Sequence, residues 1–183
     1  YKLGDNMATA LSTPFYLDVG FSLSQIGSIA KVASLVAVIV GGLVGGLMML
    51  KLGINKGLWL FGIVQVISIL GFAVLAEVGA NPWVLGAVVA LEYLGVGLGT
   101  AAFTAFIARA TNPAFAATQF ALFTALAALP RNLANATTGI IVEQVGWTAF
   151  FIFCTTSAWA TFFVFSLNGL PKAVSFTHRT LPT

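Results

Sequence analysis

A chain of 183 residues with 59% hydrophobic and only 7% charged residues has too few polar side chains to cover a surface that faces water. Soluble domains carry about 25% charged residues. The mean hydropathy of +1.01 therefore predicts a membrane protein whose main solvent is the lipid bilayer. The net charge of +3 comes from only eight Lys and Arg, which form no run, so we expect no nucleic-acid partner.

Apolar stretches of the length that a helix needs to cross a bilayer follow one another along the chain. The first is shorter and more polar than the others, and the six lie at 1–17, 26–50, 58–76, 83–108, 116–142 and 147–167. We predict an all-α, polytopic membrane protein, with six transmembrane helices in one bundle over 1–167 and a cytoplasmic tail at 168–183.

The beginning of the chain predicts that it is a piece of a longer protein. Tyr1 is not a Met, and no basic segment precedes an apolar core, so no signal peptide is visible. The helix-like pattern begins at once, as it would inside a larger polytopic protein.

The basic residues between the predicted spans indicate the orientation of the bundle. The segments between spans on one side of the membrane carry Lys51, Lys56 and Arg109, and the tail adds Lys172 and Arg179. The other side carries only acidic residues: Asp18, Glu77 and Glu143. Since Lys and Arg are concentrated in cytoplasmic loops, we expect both chain ends to lie in the cytoplasm.

Five ionisable residues lie inside the predicted spans, at Lys2, Asp5, Lys31, Glu92 and Arg131. Each costs roughly 2.5–3.5 kcal/mol at the centre of a transmembrane helix, so a functional role is the first hypothesis. Structural ion pairs that hold the bundle together are the alternative. Lys31 is nearest to a span end, and we interpret it as a structural or gating charge that extends toward the interface.

These charges are unevenly distributed, because the third and sixth spans have none. Two repeats of three helices, each ending in a helix at the lipid-facing periphery, would give this distribution. Each half of a major facilitator transporter is built from such inverted repeats. We therefore predict one half of a major facilitator fold.

Glycine is frequent in the second and fourth spans. Gly41-Gly42 and Gly45-Gly46 have the four-residue spacing that lets a neighbouring backbone approach closely. Gly95, Gly97 and Gly99 follow Glu92 and are explained either by close packing or by a loosened fourth helix.

Residues that would support enzymatic chemistry are not found in the sequence. Cys154 is the single cysteine and lies in an apolar run, and His178 lies in the polar tail. No metal cluster, nucleotide-binding loop or pairing of a nucleophile with a base is present, so we expect neither an enzyme nor a metal or organic cofactor.

Several segments of the chain resemble the AmpG-type muropeptide permeases, a family of major facilitator transporters. The segments are Tyr1-Lys2-Leu3-Gly4-Asp5, Ala30-Lys31, Glu92 with the glycine-rich run after it, and Ala117-Thr118-Gln119-Phe120-Ala121-Leu122. The resemblance covers about residues 1–167, corresponds to helices seven to twelve of the family, and implies that the N-terminal six-helix half is a missing partner.

The resemblance implies proton-driven import of anhydro-muropeptides across the bacterial inner membrane for cell-wall recycling. It places the first, second, fourth and fifth spans around the central cavity. Because relatives in the broader family carry other solutes, an anionic peptide-like or acyl-CoA substrate is the alternative.

The polar residues of these spans suggest roles in such a transporter. Lys2 and Arg131 are candidates for binding substrate carboxylates, and Arg offers two parallel hydrogen bonds. Asp5 and Glu92 are candidates for proton coupling, since a buried carboxyl can take up and release a proton. The neutral candidates for substrate hydrogen bonds are Asn6, Gln119 and Asn135.

Two further classes of protein remain as alternatives. A six-helix channel would require a ring of polar residues repeated along one helix, which the sequence does not show. A non-transporting membrane subunit would leave the cost of five buried charges unexplained.

Overall fold

The computed structural model of the chain describes residues 3–112 and 115–167, and within these ranges every regular element is helical. The helical stretches long and apolar enough to cross a membrane are Leu23–Leu52, Ile54–Val78, Pro82–Arg109 and Ala116–Ala160. The predicted class, an all-α polytopic membrane protein, is confirmed.

The region of the first predicted span contains two short helices in series, α1 (Leu3–Ala10) and α2 (Ser12–Val19). Leu11 interrupts them with φ −105° and ψ 16°. Each helix has eight residues, about 12 Å at 1.5 Å per residue, so neither crosses the bilayer alone. The sequence pattern, which continues through Leu11, did not indicate this interruption.

The second long stretch begins earlier than the predicted span and contains a change of helix type. A capping box at Ser22 starts α3 (Leu23–Gln25), with the Ser22 side chain accepting from the Gln25 N–H at 3.3 Å. A π-helical turn (Ile26–Ala30) follows and leads directly into α4 (Lys31–Leu52). Single π turns inside long helices are frequent at functional sites.

The turn between α4 and α5 (Ile54–Val78) is much shorter than the loop expected at 51–57. Only Gly53 separates the two helices, with φ 77° and ψ 161°. Because a side chain strains this conformation, glycine permits the one-residue turn. Lys51 and Lys56 consequently lie within the helix ends.

The remaining helices are α6 (Pro82–Ala110) and α7 (Ala116–Leu167). Asn81 caps α6, since its side-chain oxygen accepts from the Trp83 N–H at 3.0 Å. Gly146 has φ 78° and ψ 169° and divides α7. We refer to residues 116–145 as the first arm of α7 and to residues 147–167 as its second arm.

Small residues bring α4 and α6 together side by side and parallel. Gly41 faces Leu94, and Gly45 faces Leu98. A Cβ added at Gly97 would lie 2.5 Å from the carbonyl oxygen of Val38. The predicted close approach at Gly41 and Gly45 is confirmed, and α6 is an unbroken helix in which Gly95 lies against α5 and Gly97 against α4.

An aromatic cluster joins α2, α5 and the second arm of α7. Phe15 makes an edge-to-face contact with Phe151 at 4.8 Å between ring centroids, and Phe72 stacks on Phe151 at 5.2 Å. All three side chains are fully buried. Trp147 packs on Phe15 at 5.0 Å, which places the beginning of the second arm against the end of α2.

Two acidic side chains at helix ends hold the beginning of the second arm. The indole N–H of Trp147 donates to the Asp18 carboxylate at 3.1 Å, and the Thr148 hydroxyl donates to Glu77 at 2.8 Å. These two acids, which the sequence analysis used only for orientation, therefore also connect α2 and α5 to the second arm.

Candidate functional site

Glu92 lies near the middle of α6 and is fully buried. Its carboxyl group forms a short hydrogen bond with the hydroxyl of Ser68 on α5, which is also fully buried. The acid predicted from its depth in the fourth span therefore points into the helix bundle and toward the third span.

Gln65 lies one turn before Ser68 on the same face of α5 and is 4% exposed. The Ser68 hydroxyl is 2.9 Å from the backbone carbonyl oxygen of Gln65. The side-chain nitrogen of Gln65 is buried and has no hydrogen-bond partner in the described part of the chain. Gly95 leaves room for this pair, because a Cβ there would lie 3.4 Å from the Ser68 oxygen.

Two tyrosines extend this polar region toward the first helices. Tyr93 on α6 interacts electrostatically with both Glu92 and Asp5, and it lies beside the Ser12 side chain. Tyr16 on α2 likewise lies beside Ser12 and interacts electrostatically with Glu92. The structure thus brings the two predicted proton-coupling acids into one buried region.

We refer to this region as the polar cluster; its members are Asp5, Ser12, Tyr16, Gln65, Ser68, Glu92 and Tyr93. Asp5 is 3% exposed and lies in the first turn of α1, the helix that the interruption at Leu11 ends. Three segments of the chain, α1–α2, α5 and α6, therefore supply polar groups to one place in an apolar bundle. Burying polar groups costs free energy unless they are paired. Ionisable residues buried inside a membrane protein therefore typically mark a functional site.

Asn135, a predicted substrate ligand, is half-buried in the first arm of α7. Its side-chain oxygen is buried and accepts no hydrogen bond from the described residues. The backbone carbonyl of Asn135 accepts from the hydroxyl of Thr138 at 2.7 Å. An acceptor in this condition can receive a hydrogen bond from a ligand.

Gln119 does not join the polar cluster. Its side-chain oxygen accepts the backbone N–H of Asn112 at 2.7 Å, so it fixes the connection between α6 and α7. Glu92 lies 18 positions before the last residue of α6, which is about 27 Å of helix. Gln119 therefore has a structural explanation at one end of the bundle.

Of the other predicted site residues, the structure describes some and not others. Lys31 is exposed at the beginning of α4, directly after the π turn. Asn6 is half-buried and follows Asp5 on α1. Lys2, the side chain of Arg131 and the tail at 168–183 lie outside the described residues.

Ser68 and Gln65 carry no charge, so predictions that rest on buried charges do not include them. The third span has no charged residue in its interior and was assigned to the lipid-facing periphery. Leu60, Ile63 and Ile67 do form an exposed apolar face on α5. The opposite face carries Gln65 and Ser68, and two polar residues three positions apart in an apolar helix are a signal that could have identified them.

These observations define an α-helical polytopic membrane protein with a buried cluster of polar and ionisable groups. No family model matches the sequence. The chain is 40% identical over 159 residues to the anhydromuropeptide permease of Escherichia coli, an alignment that covers 86% of this chain and 32% of that protein.

Other relatives are similar over nearly the same range. An uncharacterized protein of Haemophilus influenzae is 51% identical over 161 residues, covering 84% of this chain and 38% of that protein. A Rickettsia felis protein named as an AmpG transporter is 34% identical over 164 residues, covering 90% of this chain and 40% of that protein. The chain is thus homologous to AmpG-type permeases, as the sequence motifs indicated, and spans two fifths or less of the length of these relatives.

Proposed function

We propose that the chain is the C-terminal half of a proton-coupled importer of anhydro-muropeptides in the major facilitator superfamily. The observation that carries this proposal is the 40% identity to a named anhydromuropeptide permease over 86% of the chain. The polar cluster supports it, because a purely structural bundle has no need of two buried carboxyl groups.

The pairing of the helices supports two inverted repeats of three. The third helix, α5, runs antiparallel beside the fourth, α6, and Ser68 meets Glu92 between them. The first helical segment runs beside the sixth, where Gly4 faces Ala158 and Phe15 faces Phe151. If the two repeats are equivalent, the third helix corresponds to the sixth and the fourth to the first. The contact between the third and fourth helices then corresponds to the contact between the sixth and first helices, as expected for such a repeat.

The substrate is an anion in this proposal. Lys2 and Arg131 bind its carboxylates, and Asn6 and Asn135 bind neutral groups of the sugar or peptide. The free acceptor on Asn135 supports this role. Gln119 is not included, since its oxygen already binds Asn112.

Energy comes from the proton gradient, with no metal or organic cofactor. Asp5 and Glu92 are the proposed proton-binding groups, since both carboxyl groups are buried among the helices, where an ionisable residue is by default a functional hypothesis. Substrate and proton would move together from the periplasm to the cytoplasm.

Uptake by the complete transporter tests this function. The full-length gene should restore accumulation of labelled anhydro-muropeptide in bacteria that lack their own permease, and a proton uncoupler should abolish it. Arg131→Lys should raise the apparent KM about tenfold at normal protein levels, because Lys loses the two-pronged contact. Full-length protein that is present in the membrane and transports no muropeptide would contradict the proposal.

The proposed location is the bacterial inner membrane, with both ends of this chain in the cytoplasm. Reporter fusions after Lys56 and Arg109 should give cytoplasmic signals. Fusions near Gly20, Asn81 and Gly146 should give periplasmic signals. A cytoplasmic signal near Asn81 would overturn the proposed topology.

A further inference from the structure

The polar cluster contains one hydroxyl group with two acceptors. The oxygen of Ser68 is 2.9 Å from the backbone carbonyl of Gln65 and is in short contact with the carboxyl of Glu92. A serine hydroxyl has a single proton and can donate to only one of them at a time. The direction of the hydrogen bond between Ser68 and Glu92 therefore depends on whether Glu92 carries a proton.

The two protonation states of Glu92 give two consistent arrangements. When Glu92 is protonated, its O–H donates to Ser68, and Ser68 donates to the Gln65 carbonyl. When Glu92 is ionised, Ser68 turns its proton toward the carboxylate. The Gln65 carbonyl then keeps its helical bond from the N–H four residues later, so the backbone loses no partner.

The side chain of Gln65 provides a second donor on the same helix face. Its nitrogen is buried and has no hydrogen-bond partner among the described residues. Leaving a buried donor unpaired is destabilising, which indicates an acceptor in another state of the protein. An ionised Glu92 is such an acceptor, because Gly95 lets Gln65 and Ser68 approach α6 one turn from the carboxyl.

We propose that Ser68 and Gln65 make Glu92 a reversible proton-holding site. Ser68 reverses its hydrogen bond when Glu92 ionises, and the amide of Gln65 donates to the carboxylate. Only the carboxyl gains and loses a proton, which it exchanges with water, and Ser68 keeps its own proton throughout. This inference rests on the proposed proton-coupled function and assigns two residues of α5 to it.

Other titratable groups face Glu92 and must be separated from it in any pH experiment. Tyr16 on α2, Tyr93 on α6 and Cys154 on the second arm interact with it electrostatically, and Asp5 interacts with Tyr93. Replacing Glu92 by Gln removes its titration and leaves these four groups in place.

Difference infrared spectroscopy of the purified full-length transporter tests the site without relying on transport. A protonated-carboxyl band should titrate in the wild type, and the component that is lost in Glu92→Gln, where Asp5 remains, belongs to Glu92. Ser68→Ala should shift the frequency of this band, because the carboxyl loses its acceptor. Gln65→Leu should raise the midpoint pH of the band by about one unit, since the ionised form loses a donor and a unit corresponds to tenfold in the equilibrium.

Thr155→Val is the matched control. Thr155 is a buried hydroxyl that donates to the backbone of its own helix, at the Phe151 carbonyl, as Ser68 does at Gln65. Its removal should leave the frequency and the midpoint of the band unchanged. An equal change in Thr155→Val would show a general effect of losing a buried hydroxyl and would overturn the role of Ser68.

Transport assays separate this inference from the proposed function. In proteoliposomes, Glu92→Gln should lose uphill uptake of anhydro-muropeptide and keep exchange of substrate across the membrane without a gradient. Wild-type uptake together with normal uphill uptake by Glu92→Gln would overturn the proton site and leave the transporter proposal intact. Absence of uptake in the wild type would contradict the transporter proposal, while the infrared titration would still decide the site.

Discussion

The helices of this chain have similar apolar compositions and very different surroundings. In the most apolar window of each, 56% of the residues of α5 and 44% of those of α6 are buried, against 17% in the stretch that contains α4 and 22% in α7. α5 and α6 form the interior of the unit. The outward-facing pair is α4 and the first arm of α7, whereas the second arm joins the aromatic cluster through Phe151. The hydropathy of these helices therefore indicates only that they lie in a membrane. The buried fraction of their side chains distinguishes the interior helices from the outward-facing ones.

The exposed side chains of α4 are large and apolar, with Leu35, Leu43 and Leu47 each more than 60% exposed. A helix that is apolar on every side requires lipid or another protein around it. Substitutions in the interior pair should therefore reduce folding stability, and substitutions in the outward pair should change binding or assembly. The following experiments test this division.

The largest effect is expected in the aromatic cluster. Phe72→Ala removes a fully buried ring from α5 and should lower the free energy of unfolding by about 3–5 kcal/mol. Ile67→Ala, on the same helix at 56% exposure, is the control and should cost much less. Unfolding of the purified full-length protein by denaturing detergent in mixed micelles measures both, and equal losses would remove the distinction between the two faces of α5.

The contact between α4 and α6 should be the next most sensitive. Gly97→Val places a side chain against the Val38 carbonyl and should destabilise the protein by about 1–3 kcal/mol through overpacking. Gly46→Val introduces the same side chain where an added Cβ meets nothing within 4 Å. If thermal unfolding showed both variants equally destabilised, the low helix propensity of valine would explain the loss of stability, and the close packing of α4 on α6 would not.

The first arm of α7 should respond in transport and not in folding. Asn135→Ala removes a buried acceptor that has no partner among the described residues, so stability should change little. If Asn135 binds substrate, the apparent KM for uptake should rise about tenfold, the value of one hydrogen bond of about 1.4 kcal/mol. Asn132→Ala, at an exposed position of the same arm, is the control. A loss of stability with an unchanged KM would make Asn135 structural.

The smallest effect is expected at Gln119. Gln119→Ala breaks the hydrogen bond to Asn112 and should cost about 1 kcal/mol of stability, with an unchanged KM. Thr118→Ala, at the exposed neighbouring position, should change neither quantity. A rise in KM for Gln119→Ala at normal stability would return Gln119 to the substrate site.

The sequence was sufficient for the class of fold and for the long helices, because lipid imposes length and hydropathy on each span. It also indicated the close packing at Gly41 and Gly45, since four-residue spacing places small residues on one face. The interruption at Leu11 was not predictable, because an apolar run has the same pattern whether its helix is continuous or broken.

The candidate site was predictable only in its charged members. Asp5 and Glu92 were identified because an ionisable residue is conspicuous inside an apolar span. Their neighbours Tyr16, Ser68 and Tyr93 are common in membrane helices, and only the packing of α2, α5 and α6 reveals that they meet. Gln119 is a substrate candidate by sequence, and only the structure shows that its side-chain oxygen accepts the backbone N–H of Asn112.

The one-residue turn at Gly53 has a consequence for biogenesis. With only Gly53 between them, α4 and α5 form one tight helical hairpin, which we expect to enter the membrane as a pair. The tip of this hairpin carries Lys51 and Lys56, and in the proposed topology these positive residues would keep the tip on the cytoplasmic side.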